Sequence, residues 1–419
     1  MPESSPPASA PAAEFPIGPE IEASARKAWG LGLCPECLGR LFGRHGHGLS
    51  NPERAARLAA GLGQPVPTIA EGGCSLCRGL FDRWEIWIER ARRASEELEW
   101  RRFACGSRWD PEILAREETI AAEIGATHPE SARGAFNREW GKRLEARTGR
   151  IGAPNDPEVV LVADLPAGRV EVTVLPIYIR GRYRKLDRSI PQTRWPCRRC
   201  EGRGCDQCAG TGKTYPTSVE ELVAQPFLEA TLGEGTRFHG MGREDIDARM
   251  LGRGRPFVLE VLRPKKRDFD LLALCATAGR ASGARIEIVD PRLATAADVV
   301  AVKEASPEKS YRVQVRGEVP VAKINEALTF VTDRAIAQRT PTRVAHRRSD
   351  LVRSRRIRQA RLVEASEGRF TLDLRAEAGT YIKEWVEGDG GRTEPNLSGL
   401  LGTPVTVESL DVLEIHDTE

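Results

Sequence analysis

The sequence predicts an α+β protein of two domains, and three observations carry that prediction. From about residue 21 to residue 165 most apolar residues recur at helical spacing. Near residue 158 the chain changes to valine-rich segments that alternate with polar residues, as strands do. After residue 215 helix-like and strand-like segments take turns with no repeat of fixed period, the pattern of an α+β domain with a mixed or antiparallel sheet.

At 419 residues the chain has room for two or three cores. Hydrophobic residues make up 40% and charged residues 29%, which favours a soluble globular protein. No apolar run approaches the roughly 18 to 20 residues that span a bilayer, so no membrane partner is expected. Residues 1–20, opening MPESSPPASAPAAEFP, are rich in Pro, Ala and Ser and read as a disordered tail. They lack the basic start and apolar core of a signal peptide, which points to the cytoplasm.

Residues 21–190 are expected to form the N-terminal domain. NPERAARLAAGL, DRWEIWIERARRASEELEWRRF and SARGAFNREWGKRLEARTG have helical periodicity, and Asp110 before Pro111 marks a further helix start. EVVLVADLPAGRVEVTVLPIYIRGRYRKL reads as strands around a Pro-Ala-Gly turn. Residues 191–214 make a cysteine knuckle, and 215–419 a second α+β domain. Its elements begin with SVEELVAQPFLEATL, a helix capped by Ser218 with Glu221 three residues on. PFVLEVL, ARIEIVD and KSYRVQVRGE follow as strands, DFDLLALCATAGRASG and VAKINEALTFVTDR as helices. RRIRQARLVEASEGRFTLDLRAEAGTYIKEWVEG reads as strands, a turn and a short helix.

Eight of the ten cysteines fall into four Cys-x-x-Cys pairs. Cys197/Cys200 and Cys205/Cys208 stand four residues apart with glycines at the turn, so two tight knuckles offer four thiolates to one tetrahedral zinc. A thioredoxin-like redox pair would need a strand-to-helix setting, which this polar, glycine-rich stretch lacks. Cys34/Cys37 and Cys74/Cys77, with 36 residues between them, make a second zinc site if the intervening helix brings them together. Two half-sites or an oxidised pair are the alternatives there. His45 and His47 read as surface residues, and Cys105 and Cys275 as small buried ones.

Charge is concentrated rather than large: the net value is only +3, yet PTRVAHRRSDLVRSRRIRQAR holds eight arginines against Asp350. Such a run is either a solvated face or a phosphate grip. A second cluster, GREDIDARMLGRGRPFVLEV, sets Asp245 and Asp247 among Arg243, Arg249, Arg253 and Arg255. It is either a solvated loop or a carboxylate held beside a polyanionic substrate.

GRYRKLDRSIPQTRW, the cysteine knuckle, TSVEEL, GREDIDARMLGRGRPFVLE and GTYIKEWVEGDGGRTEPNLSGLL resemble, in that order, the archaeal tRNA pseudouridine synthases that modify positions 54 and 55. The likeness runs over nearly the whole chain after the tail. It implies that the N-terminal domain is a zinc-containing, THUMP-related RNA-binding module and that residues 215–419 are the catalytic domain. It also implies isomerisation of uridine in the TΨC arm of tRNA with no organic cofactor. The family pattern Gly-Arg-x-Asp puts the reacting carboxylate on Asp245, with Arg243 beside it and Asp247 in support. The carboxylate is expected to attack the base or the sugar, or to remove a proton on the way to a glycal. Lys383 of GTYIKE stands where the family pairs a basic residue with the aspartate, and bonding of this kind favours an ionised carboxylate against desolvation. Taken alone, Lys383 would be an ordinary surface lysine. Tyr311 matches the tyrosine that is expected to stack on the uracil and, through its hydroxyl, to assist proton removal at C5; without the likeness it would read as core. Tyr381 reads first as structural and is grouped with the substrate-facing set, as is Leu397 of PNLSGLL. A monomer acting on tRNA is the expected working form.

A non-catalytic tRNA-binding or folding protein on the same scaffold is the alternative, opposed by the presence of Asp245, Lys383 and Tyr311 together. A THUMP-bearing tRNA methyltransferase would need a methyl-donor site after a strand, for which GEGTRFHGMG is a poor match.

Overall fold

The computed structural model describes residues 17–68, 73–347 and 349–417. It divides the chain into two compact units, Met1–Leu175 and Pro176–Glu419. Among the described residues no helix is long and apolar enough to cross a membrane.

The first unit opens with α1 (Pro19–Trp29), α2 (Pro35–Leu41) and α3 (Asn51–Leu62). α1 starts inside the span expected to be tail; residues 1–16 lie outside the described part. α3 is the helical crossover between the cysteine pairs. A reciprocal cap fixes its start: Ser50 Oγ accepts the Glu53 N–H, and the Glu53 carboxylate accepts the Ser50 N–H at 2.7 Å. Then come α4 (Trp84–Ala94), β1 (Arg102–Arg108), α5 (Pro111–Ile124), α6 (Ala132–Thr148), β2 (Ile151–Gly152), β3 (Val159–Asp164) and β4 (Arg169–Val174). The strands order β2-β1-β3-β4, with β3–β4 antiparallel and the other pairs parallel.

The sequence predicts helix as far as Phe103, but Arg102–Arg108 is an inner strand. Its pattern is hard to read because one buried position is polar: Ser107 is satisfied by donating its hydroxyl to Asn137 Oδ1 at 2.6 Å. The core of this unit is aromatic. Phe136 on α6 is fully buried and meets the rings of Phe81, Trp84, Trp87, Trp109 and Trp140 at 5.2–6.2 Å. Each such pair adds about 0.5–1.5 kcal/mol to the burial itself.

The second unit contains β5 (Ile177–Lys185), α7 (Val219–Thr231), β6 (Gly235–Gly240), β7 (Arg249–Leu262), α8 (Leu271–Ala281), β8 (Ile286–Ala294) and α9 (Ala296–Glu304). It continues through β9 (Lys309–Arg316), α10 (Val321–Val331), β10 (Ala335–Arg339), β11 (Val352–Ser366) and β12 (Arg369–Ala376). α11 (Ile382–Glu387), β13 (Thr393–Glu394), α12 (Leu397–Leu401) and β14 (Thr406–Ile415) complete it. One ten-stranded sheet runs β13-β10-β11-β12-β9-β14-β7-β5-β8, with β6 also on β7; only β14–β7 is parallel.

The domain boundary differs from the expected residue 190. β5 is hydrogen-bonded on both edges, to β7 and β8, so its backbone is satisfied only within the second sheet. The first unit therefore closes at Leu175, and the 197–208 knuckle belongs to the second.

Candidate active site

Asp245 lies on the turn that joins β6 to β7, and the residues beneath that turn explain its shape. Glu244 turns inward: its carboxylate forms an ion pair with Arg255 at 2.8 Å, both side chains being 1% exposed. It also accepts the Tyr183 hydroxyl at 2.8 Å. Gln192 donates to that hydroxyl at 2.8 Å and to the Gly242 carbonyl at 2.9 Å, while Arg255 donates to the Met241 carbonyl at 2.7 Å. Lys185, fully buried at the end of β5, donates to the carbonyl oxygens of Ile190, Asp245 and Ile246 at 3.0, 3.3 and 2.6 Å. Apart from Arg255 Nε, which is ion-paired with Glu244 but makes no hydrogen bond, the side chains of this network are hydrogen-bonded inside the fold, and such networks rigidify what they hold. With Glu244 directed inward, Asp245 faces out into a cavity.

That cavity has a volume of about 260 Å3. This is below the roughly 300 Å3 at which drug-sized pockets begin, and suits one planar ring. Asp245, Tyr311, Tyr381, Lys383 and Arg243 all line it. Leu397 does not: it is fully buried at the start of α12, within the hydrophobic core, because its apolar side chain faces inward from a helix capped by Asn396. Tyr311 is 8% exposed on β9, and burial, reinforced by Asp245, pushes its hydroxyl up to about 12. The Tyr381 backbone is clamped by the buried Gln338 amide, which exchanges two hydrogen bonds of 3.0 Å with it and so sets the start of α11.

Charge pairing around Asp245 departs from the expected pattern. Arg343 Nη1 donates to Asp245 Oδ1 at 2.7 Å, and its Nε donates to Glu384 at 2.5 Å. Lys383 stands 3.8 Å from Asp245 but 2.6 Å from Asp247, so its hydrogen bonds go to the second aspartate. Although burial opposes it, bonding to Lys383 holds the Asp247 carboxyl below its ordinary value. Sequence reasoning took Arg343 for part of the basic run and passed over Glu384, whose only signal was its place directly after Lys383.

The arginines around Asp245 now separate by role. Arg249 makes a two-point pair with Asp411 at 3.1 and 2.7 Å, and Arg253 binds Glu414 at 3.0 Å, so with Arg255 they brace the turn. Arg243 lies over the Trp195 ring at 5.4 Å, at the lip of the cavity. A second hollow of about 450 Å3 opens beside it, reaching Trp195, Arg198 and Tyr215 and sharing Asp245, Arg343 and Lys383 with the first. In the arginine run, Arg343, Arg358 and Arg361 pair with carboxylates. Arg353, Arg355 and Arg356 donate to the Thr340 hydroxyl and to the Ser354 and Asp333 carbonyls, neutral acceptors that leave their charge to attract phosphate. The side chains of Arg347 and Arg348 lie outside the described part.

Both cysteine sets come together as four-thiol clusters, Cys34/Cys37/Cys74/Cys77 and Cys197/Cys200/Cys205/Cys208, with all sulfurs of a set within 4.8 Å of one another. Individual separations are 3.7 Å for Cys34–Cys77, 3.8 Å for Cys200–Cys208 and 4.0 Å for Cys197–Cys205. Tetrahedral thiolates about 2.3 Å from a zinc ion would stand about 3.8 Å apart. Backbone N–H groups aim at the sulfurs, from Cys34 to Cys74 and from Gly204 to Cys200 at 3.2 Å each, as suits thiolate acceptors. Gly212 is required in the second cluster: its φ is +66°, and a Cβ would meet the Gly202 carbonyl oxygen at 2.2 Å. The donor set and spacing fit a metal ion at each cluster.

Comparison with known proteins agrees with this division. A family model described as "Pus10, C-terminal" matches residues 178–416, and one described as "Pus10 THUMP domain, archaeal" matches residues 87–164. The chain is 39% identical over 417 residues to the tRNA pseudouridine synthase Pus10 of Methanopyrus kandleri, covering 92% of this chain and 95% of that protein. It is 38% identical over 431 residues to the protein of the same name from Methanothrix thermoacetophila, covering 95% of each. Among solved structures, a Cbf5-Nop10-Gar1 complex aligns at 18% identity with a TM-score of 0.30, over 47% of this chain and 45% of that one.

Proposed function

The chain belongs to the Pus10 family, and from that premise we propose that it isomerises uridine to pseudouridine in tRNA, at position 54, 55 or both of the TΨC arm. The observation that carries this reading is Asp245, a carboxylate facing a ring-sized cavity that it shares with Tyr311 and a wall rich in cations.

The geometry supports the following division of labour. Asp245 is the carboxylate that meets the ribose or base, its charge balanced by Arg343 at 2.7 Å. Glu384 holds the far side of that guanidinium. Tyr311 offers a ring face for the flipped base, and its hydroxyl, kept protonated by burial, is a donor rather than a base at neutral pH. Arg243, Lys383 and Tyr381 border the entrance, where a phosphate of the flanking nucleotides would lie. Each four-cysteine cluster holds one zinc ion in a structural role. The first unit grips tRNA through phosphate contacts, and the enzyme works as a cytoplasmic monomer.

The test is a tRNA transcript incubated with purified protein and no cofactor, followed by chemical mapping of pseudouridine. The reading predicts product at 54 or 55. Asp245→Ala should abolish it with tRNA binding retained, whereas Asp247→Ala should remain active. Tight binding with no product from the wild-type chain would instead favour a non-catalytic tRNA-binding protein.

A further inference from the structure

One cation of the cavity wall has no part in the scheme above. Lys309 opens β9 two residues before Tyr311, so both side chains leave the strand on one face, and both line the cavity. Its ammonium group donates to the Pro307 carbonyl at 3.0 Å. Among the described residues no carboxylate lies within ion-pair distance of it. The adjacent Glu308 is engaged by Arg358 and Arg375 at 3.2 and 2.7 Å. The neighbouring cations Arg343, Lys383 and Arg255 are each paired with a carboxylate. Burial, with Arg255 adding to it, holds the Lys309 amine down at about 8. The fold thus keeps an unbalanced charge in the wall of its reaction cavity, against its own stability.

We propose that Lys309 is a catalytic residue that carries the negative charge of the uracil ring while the ring is detached from ribose. The inference rests on the uridine-isomerising reading. When the C1′–N1 bond breaks, its electron pair leaves with N1, and the resulting uracil anion spreads its charge over O2 and O4. A half-turn of the ring about its N3–C6 axis exchanges N1 with C5 and, at the same time, O2 with O4. A single fixed ammonium donor therefore meets a carbonyl oxygen before and after the rotation. The ring then returns an electron pair from C5 to C1′, loses the C5 proton and gains one at N1, so that atoms and charge balance with no co-reactant. Donors aimed at such a developing anion act most strongly where water is excluded.

Single-turnover reactions on a tRNA transcript test this with wild type, Lys309→Met and Lys309→Arg. Wild type is run first: no pseudouridine from it would defeat the uridine-isomerising reading itself. Given activity, Lys309→Met should lose about 10²–10³-fold in rate with tRNA affinity little changed, the loss seen on removing an oxyanion donor. Lys309→Arg, which keeps the cation, should recover part of it. The same variants are then given a 5-fluorouridine transcript, reading loss of the N-linked nucleoside. Fluorine already stabilises the ring anion, so the Lys309→Met defect should shrink on that substrate. An unchanged rate, a loss confined to tRNA binding, or an equal defect on both substrates would overturn the proposal. The ratio of the two substrates' rates is internal to each variant, so it decides even if Lys309→Met melts below wild type.

Discussion

Arg343 reaches Asp245 at 2.7 Å with one nitrogen and Glu384 at 2.5 Å with another, whereas Lys383 hydrogen-bonds Asp247 and stands 3.8 Å from Asp245. One planar guanidinium thus hydrogen-bonds two carboxylates in a fixed fork, whereas the Lys383 ammonium hydrogen-bonds Asp247 alone. Arg343→Lys is therefore expected to lower turnover by about 10²-fold or more, and Lys383→Met by less. Single-turnover pseudouridine formation measures both. A larger loss for Lys383→Met would return the role of partner to the lysine.

Lys185 acts on Asp245 through the backbone, since its three hydrogen bonds are to main-chain carbonyls of the turn and of Ile190. Lys185→Met leaves those oxygens unpaired in a buried site, at about 1–3 kcal/mol for each that finds no water. Thermal melting should fall clearly, and turnover should fall with it as the turn relaxes. Asp245→Ala removes a side chain that faces the cavity, so its melting temperature should stay close to that of wild type. Equal melting of wild type and Lys185→Met would show that the turn holds itself.

Metal analysis of the purified chain should return about two zinc equivalents. Cys37→Ser and Cys200→Ser should each lose one of them, because they belong to different clusters in different units. Their consequences should differ. Trp195 and Gln192 stand on the segment leading into the second cluster, and Gln192 bonds Tyr183 and Gly242 beneath the Asp245 turn. Cys200→Ser is thus expected to slow the reaction itself, while Cys37→Ser should weaken tRNA binding first. A chain that is fully active with neither metal would contradict both statements.

Much of this was legible because it is written locally. Cys-x-x-Cys pairs, the Ser218 cap of α7 and the Asp110 start of α5 place their elements without reference to the rest of the chain. Asp245, Tyr311 and Lys383 were found through motifs, and they do border one cavity. What escaped was whatever depends on long-range pairing. Arg343 lies 98 residues from Asp245, and nothing in a run of arginines marks which one turns inward. β5 was assigned to the wrong domain because its valine-rich neighbours alternate as it does, and only hydrogen bonding to β7 and β8 tells them apart. Leu397 was placed at the pocket through the motif PNLSGLL, yet α12 buries it.

The amine of Lys309 supplies a test that needs no substrate. Burial, aided by Arg255, lowers it from 10.5 to about 8 in the folded chain, while the unfolded chain keeps an ordinary lysine. Arg243, Glu244, Asp245, Arg343 and Lys383 are the other charged groups lining the cavity, the adjacent Glu308 is paired with Arg358 and Arg375, and Tyr311, pushed up to about 12, stays protonated throughout the range. Between about pH 8 and pH 10.5 the unfolded state binds more protons than the folded state, so this group makes stability rise with pH. Below about pH 8 both states are protonated and the cost of the buried charge is at its full value, on the order of 1–3 kcal/mol after allowing for partial solvent access. Lys309→Met should therefore be more stable than wild type near pH 7, with the gap narrowing towards pH 10. Denaturant melts at the two pH values measure it. A gap that is absent, reversed or independent of pH would mean that the lysine rests in its site without strain.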